Sequence, residues 1–278
     1  MEGKFVAIKI HFGELGNLSF LRPNYARAVA DVVKELGGKP FLTDCNTLYV
    51  GGRKNGLDHL DTACLNGFNP MTTGCQVIIA DGIKGSDEVA VPVAGGELVK
   101  EAKIGRAVMD ADVFISLTHF KGHAMGGFGG SMKNIAIGCA DGKIGKAQVH
   151  AVKDINAPWD EWPAKEHLME TMAESAKAVC DHFGKHIVFI NVMRRMSVDC
   201  DCAGLSAAEP TIPDIGMVAS TDILAIDQAC VDLVYSLGKD KNHDLVERIE
   251  SRHGLRQLSY MHELGMGKAN YELVDIDL

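Results

Sequence analysis

The sequence has no apolar run approaching the roughly 18 residues that a membrane-crossing helix needs, which excludes a helical membrane protein. Its opening residues, MEGKFVAIKIHFGE, hold no basic segment followed by an apolar one of the kind that directs secretion. The expectation is a cytoplasmic protein without membrane contact. Positive charge is in short supply: 28 Lys and Arg against 37 Asp and Glu leave a net charge of -9. Nucleic-acid affinity is built from clustered Lys and Arg, and none cluster here, so nucleic acid is excluded as a partner. Paired C-x-x-C motifs, the G-x-x-x-x-G-K-[ST] phosphate loop, internal repeats and low-complexity tracts are also missing. Without a secretion signal, the 8 cysteines read as reduced thiols, some buried and some candidate metal ligands.

What remains is an ordinary globular composition, 46% hydrophobic and 23% charged, in a chain long enough for one large domain. The pattern along the chain alternates strand and helix. Phe5 to Ile10 reads as a buried strand, Asn24 to Leu36 as a helix stopped by Gly37-Gly38, Phe41 to Asp44 as a strand, Leu57 to Leu65 as a helix, and Gln76 to Ala80 as a strand. Glu101 to Met109 reads as a helix and Ala111 to Leu117 as a strand. A long helix follows Pro163 to about His182, then strands at His186 to Val192 and near Met217, helices at Asp222 to Leu237 and Asp244 to Glu250, and a closing strand at Tyr271 to Asp277. Such alternation predicts an α/β fold with a largely parallel sheet flanked by helices. It is a single domain over 1–278, with two lobes, 1–155 and 156–278, and a crevice between them as the finer expectation.

In such sheets, ligands bind where loops leave the carboxyl ends of strands. The segment His119 to Asn134 lies at one of these ends and packs two His, two Lys and five Gly into sixteen residues. Glycines let backbone N–H groups approach a ligand, so Gly127, Gly129 and Gly130, with Lys121 and Asn134, are candidates to hold an anion or cofactor at the start of a helix. His119, His123 and Lys133 are the catalytic candidates, because imidazole moves protons near neutral pH and a desolvated lysine can act as a nucleophile. His150 completes a potential metal site. Lys9 and His11 share one face of the first strand by its period of two, and Arg53 can clamp a carboxylate or phosphate through two hydrogen bonds. Cys200 and Cys202, in a C-x-C arrangement, are candidate metal thiolates, with Cys139 as a third. His167, His182, His186, His243, His253 and His262 read as surface residues.

The pieces IKIHFGELGN, TDCNTLYVGGR, HFKGHAMGGFGGSMKNIAIGCA, VDCDCAG and PDIGMVASTDILAIDQACVDL, in order from Ile8 to Leu233, resemble a family of uncharacterised iron-sulfur-centre proteins, domain of unknown function 362. Members commonly carry a ferredoxin-like insert just after the position of His150, which Ala151 to Trp162 bridges directly here. The resemblance therefore leaves any iron-sulfur cluster to Cys139, Cys200 and Cys202 or to a ferredoxin-like redox partner. His123, Lys133 and His150 also resemble, more distantly, the H-x-x-G-[FY]-[SG]-G-G-x-K…H segment of nickel-pincer lactate racemases. That likeness implies Lys133 as the carrier of a nickel cofactor, His150 as a nickel ligand and His123 as acid or base. The second proton-transferring histidine of those enzymes has no counterpart here.

Three readings stay open on these residues. The first is an enzyme, an oxidoreductase or an isomerase or racemase, using nickel or another transition metal on a small anionic metabolite. The second is a non-catalytic iron-sulfur or electron-transfer protein. The third is a plain anion-binding module.

Overall fold

The computed structural model describes residues 1–154, 158, 161–163 and 165–277. The boundary between 155 and 156 expected for two lobes lies outside them. In chain order the elements begin with β1 (Phe5–Lys9), α1 (Pro23–Glu35), β2 (Lys39–Asp44), α2 (Gly56–Leu65), α3 (Pro70–Thr73) and β3 (Gln76–Ile79). A hairpin of β4 (Glu88–Pro92) and β5 (Glu101–Gly105) is followed by α4 (Arg106–Met109), β6 (Val113–His119), a short hairpin of β7 (Lys121–His123) and β8 (Gly127–Gly129), α5 (Ser131–Cys139) and α6 (Ile144–Val149). The rest comprises α7 (Glu166–Phe183), β9 (Ile187–Met193), β10 (Gly216–Ser220), α8 (Ile223–Ser236), α9 (Lys239–Ser251) and α10 (Arg256–Glu263).

Six strands form one sheet in the order β10-β9-β6-β1-β2-β3, parallel except for β10 against β9. The alternation of side chains assigns each strand's residues to two cores. Val6, Ile8, Val113, Ile115 and Leu117 face α1, whose Ala26, Ala30 and Val33 recur at helical spacing. Ala7, Phe114 and Phe189 face the other way, beneath α5, α7 and α8. Lys9 follows Ala7 by two and so lies on this second face, under α5, where Gly138 leaves the room its side chain fills.

Two sequence expectations are corrected. Glu101 to Met109 is a strand and then a single helical turn, because Ala102 and Ile104 are buried with period two and pair with β4. Tyr271 to Asp277 is not a strand: every residue in it is exposed, and β10 and β3 are the sheet edges. The β4-β5 and β7-β8 hairpins and α10 were not foreseen. Asp222 caps α8 by accepting the Ala225 N–H. The six histidines expected at the surface are all exposed. No helix of the described residues is long and apolar enough to cross a membrane.

Candidate metal centre and anion cavity

The strands β1, β2 and β6 end at Lys9, Asp44 and His119, and all three polar ends are buried. Burying charge is costly unless it is paired, and these ends are paired to one another or to loops above them. Lys9 donates to the Asn134 Oδ1 at 2.8 Å and pairs with Asp44 at 3.3 Å. The other Asp44 oxygen accepts from Arg53 at 3.2 Å, and Arg53 reaches Glu14 at 3.3 Å and the Tyr49 hydroxyl at 2.6 Å. Burial alone would raise Asp44, but the adjoining Lys9 and Arg53 hold it below the usual carboxylate range. Arg53, expected to clamp a ligand's anion, is thus committed within the protein, as is Lys9.

The glycine loop likewise has an internal occupant. The first N–H groups of α5, on Ser131 and Met132, donate to the two carboxylate oxygens of Asp227 at 2.7 and 2.9 Å, and Asn191 donates to the same group at 2.8 Å. Gly130 is required because a Cβ there would collide with this carboxylate. Gly127 has φ 78° and packs against Gly254 and Ile249, so it too serves close approach of backbone and not a ligand. The anion cradle predicted from the glycine spacing is therefore filled by Asp227, a residue in the middle of α8 that no local motif marks. Gly129 lies beside Lys121 and Lys133, and Asn134 is held by Lys9, Ser116 and Thr118.

Opposite this network, His123 of β7 meets the Cys200-Asp201-Cys202 turn. One donor atom from each of His123, Cys200 and Cys202 lies within 4.8 Å of the other two. His123 Nδ1 accepts the Gly126 N–H at 2.8 Å, so the neutral ring holds its proton on Nε2, and ligation through Nε2 requires that proton to leave Nε2 for Nδ1 and the Gly126 bond to be given up. Burial first, and then the nearby Lys133 ammonium, depress this imidazole to about 3, so it is neutral at pH 7, the form that binds metal. The Cys200 sulfur accepts from Lys133 at 3.4 Å. A hydrogen bond from Cys202, with the charge of Lys133, holds Cys200 well below the usual thiol range, so it is the thiolate of the pair. Burial would lower Lys133, but the two sulfurs more than offset it and keep the ammonium protonated. That opposes the expectation of a nucleophilic Lys133.

Asp201, between the cysteines, points the other way and fixes the turn. Its carboxylate bonds His119 Nδ1 at 2.8 Å and pairs with Lys121 at 3.1 Å, and its carbonyl accepts from the Glu14 N–H at 2.9 Å. His119 Nε2 lies 2.9 Å from the Arg194 carbonyl. Both its ring nitrogens face acceptors, so His119 positions the turn and is not placed to exchange protons with a substrate. The expected metal set changes as well. Cys139 is fully buried, its thiol pushed up to about 12 by burial, and it stands outside the three-donor group. His150 also stands outside it, bonded through Nδ1 to the Lys146 carbonyl at 2.7 Å with its ring against Trp162. The third donor of the group, His123, reads from sequence as an acid or base.

A cavity of about 650 Å³ joins these walls. His123, Cys202, Lys133, His150, Lys9 and Lys121 are among its lining residues, with His11 and Lys146 on the same surface. His11 is kept neutral chiefly by burial and by the surrounding cations, and its Nδ1 accepts the Gly13 N–H at 3.0 Å. Among the described residues, seven Lys and Arg line this space against the one carboxylate of Asp44, in a chain whose net charge is -9.

The family described as "Domain of unknown function (DUF362)" matches residues 6–232. A thylakoid-associated protein, sll1697, of Synechocystis sp. (strain ATCC 27184 / PCC 6803 / Kazusa) is 29% identical over 229 residues, covering 78% of this chain. The chain spans 60% of that relative's length. Among solved structures, the lactate racemase apoprotein of Thermoanaerobacterium thermosaccharolyticum aligns with a TM-score of 0.51 at 14% identity, over 84% of this chain and 49% of that one. This is a likeness of fold.

Proposed function

The chain belongs to the DUF362 family, and from that premise we propose that it is a metal-dependent enzyme for redox or proton-transfer chemistry on a small anionic metabolite. In this reading the ion is held by His123, Cys200 and Cys202. The observation that carries it is the three-donor group on the wall of a cation-rich cavity. Two cysteine sulfurs, with Cys202 giving up its proton on binding, and an imidazole suit a borderline or soft ion, and a three-ligand site keeps a fourth position open, as catalytic zinc sites do.

Such an ion supplies Lewis-acid polarisation of a substrate oxygen. The protein's own residues do the rest. Lys121 and Lys133 bring positive charge beside the sulfurs and attract an anionic substrate to that corner. Asp201 holds the Cys200-Asp201-Cys202 turn so that both sulfurs converge. His11, with its Nδ1 accepting a backbone N–H, offers its Nε2–H to a bound oxygen. Leu48, Met125 and Ile137 line the cavity with apolar surface that displaces water.

The groups implied by resemblance fit less well. A covalent nickel cofactor needs a neutral lysine amine, whereas Cys200 keeps Lys133 protonated. A cluster held by four thiolates finds two cysteines and one histidine here among the described residues.

Metal per chain, measured after anaerobic purification and after reconstitution with zinc, iron or cobalt, tests the reading. Near one ion per chain is expected for the wild type, falling to near zero in Cys200→Ser/Cys202→Ser. A metal-free wild type after reconstitution, or an unchanged content in the double variant, overturns it.

A further inference from the structure

Five buried cations line the cavity, and four have an anionic partner inside the protein. Lys9 and Arg53 share Asp44, Lys121 has Asp201, and Lys133 lies against the Cys200 sulfur. Lys146 is the fifth. It is 3% exposed and donates to the Ala140 carbonyl at 2.7 Å, and among the described residues no carboxylate comes within 4.0 Å of its ammonium. Asp81 and Asp44 act on it from beyond contact distance, and a buried ammonium that no carboxylate touches is costly to the folded state. A ligand anion placed in contact with it reduces that cost.

Backbone donors do not compete for the role. The start of α5 is taken by Asp227, and the N–H groups of Lys143, Ile144 and Gly145 are taken by Asp141. The size of the cavity points the same way. At about 650 Å³ it lies in the middle of the range of roughly 300–1,000 Å³ typical of ligand pockets, well beyond the needs of a three-carbon acid. Leu48, Met125, Ile137 and Trp162 give it apolar walls suited to the body of a longer molecule.

We propose that Lys146 recognises a second anionic group, carboxylate or phosphate, so that the substrate is a dianion with one end at the His123-Cys200-Cys202 corner and the other on Lys146. This deepens the metal-enzyme reading and rests on it. Lys146 is then a specificity-determining residue, placed apart from the metal ligands.

Calorimetry on the full-length, zinc-loaded protein tests this with succinate, with butyrate of equal carbon number, and with inorganic phosphate. Succinate is expected to bind the wild type about tenfold or more tightly than butyrate. In Lys146→Met the ratio falls toward one while zinc per chain stays at the wild-type level, and Lys146→Arg keeps most of the preference. Phosphate binding more tightly than succinate identifies a phosphate group, and the reverse a carboxylate. Without ligand, Lys146→Met is expected to melt no lower than the wild type, because it removes a buried charge that no carboxylate touches.

Equal succinate and butyrate affinities with no phosphate binding overturn the proposal, as does a preference that survives Lys146→Met. A lower melting temperature in Lys146→Met with unchanged anion preference makes Lys146 a structural bridge to Ala140 and also overturns it. Absence of zinc from the reconstituted wild type overturns the metal reading instead, since anion preference is measured on the same sample.

Discussion

The two walls of the cavity use similar charged residues and leave them in opposite states. On one side, Lys9, Asp44, Arg53, Glu14 and Tyr49 spend their charges on each other, and the network joins β1, β2 and two loops into a rigid frame. On the other, His123, Cys200 and Cys202 converge with donor atoms that no carboxylate claims, while the acid between the cysteines is turned away to hold them in place. The contrast separates ion pairing that maintains the fold from ion pairing that positions chemistry, and each kind should respond differently to substitution.

The sharpest way to break the contrast is to substitute one residue of each wall. Asp44→Ala leaves Lys9 and Arg53 buried without their shared partner, and a loss of about 3–5 kcal/mol in denaturant unfolding is expected. Cys202→Ala in metal-free protein should unfold close to wild type. Similar losses in both would erase the distinction. Asp201→Asn tests the positioning role next: metal affinity should fall about 10–100-fold, because the residues that orient metal ligands carry effects of that size. Chelator competition reads it directly.

A smaller effect concerns His59, buried against Phe12 and depressed to about 3 by burial first and Arg53 next. In the unfolded chain it takes up a proton near 6.5; in the folded chain it stays neutral. Its contribution to stability is therefore complete above pH 6.5 and is lost as the pH falls toward 3. His150, depressed to about 4, acts with the same sign, whereas Asp81, raised to about 6, opposes it below pH 6. His59→Phe should flatten the dependence of stability on pH below 6.5 by about 1.4 kcal/mol per pH unit, measured by urea titrations across that range. The smallest effect belongs at the surface. Arg27→Ala removes an exposed i,i+4 pair with Asp31 and should change stability by less than about 0.5 kcal/mol.

Much of the frame could be read from local pattern. The near-continuous apolar runs of Phe5 to Ile10 and Ala111 to Leu117 bury both faces of their strands, and the helical spacing of Asn24 to Leu36 buries one face of its helix. The segment from His119 to Asn134 was rightly placed at a strand's carboxyl end. Glu101 to Met109 failed because a short edge hairpin and a helix present similar apolar counts, and only pairing with β4 decides between them.

What the sequence by itself determined is the kind of layer each segment joins and the residue types crowded near the strand ends, since these follow from periodicity of two or 3.6 and from composition. Tertiary structure alone decided which of those residues have charge left to offer. Asp227 reaches α5 from a helix some 90 residues later, Asp44 claims Arg53, and Cys200 and Cys202 come to His123 across a comparable separation. Pairing of buried charges depends on distances through space, and spacing along the chain does not encode them.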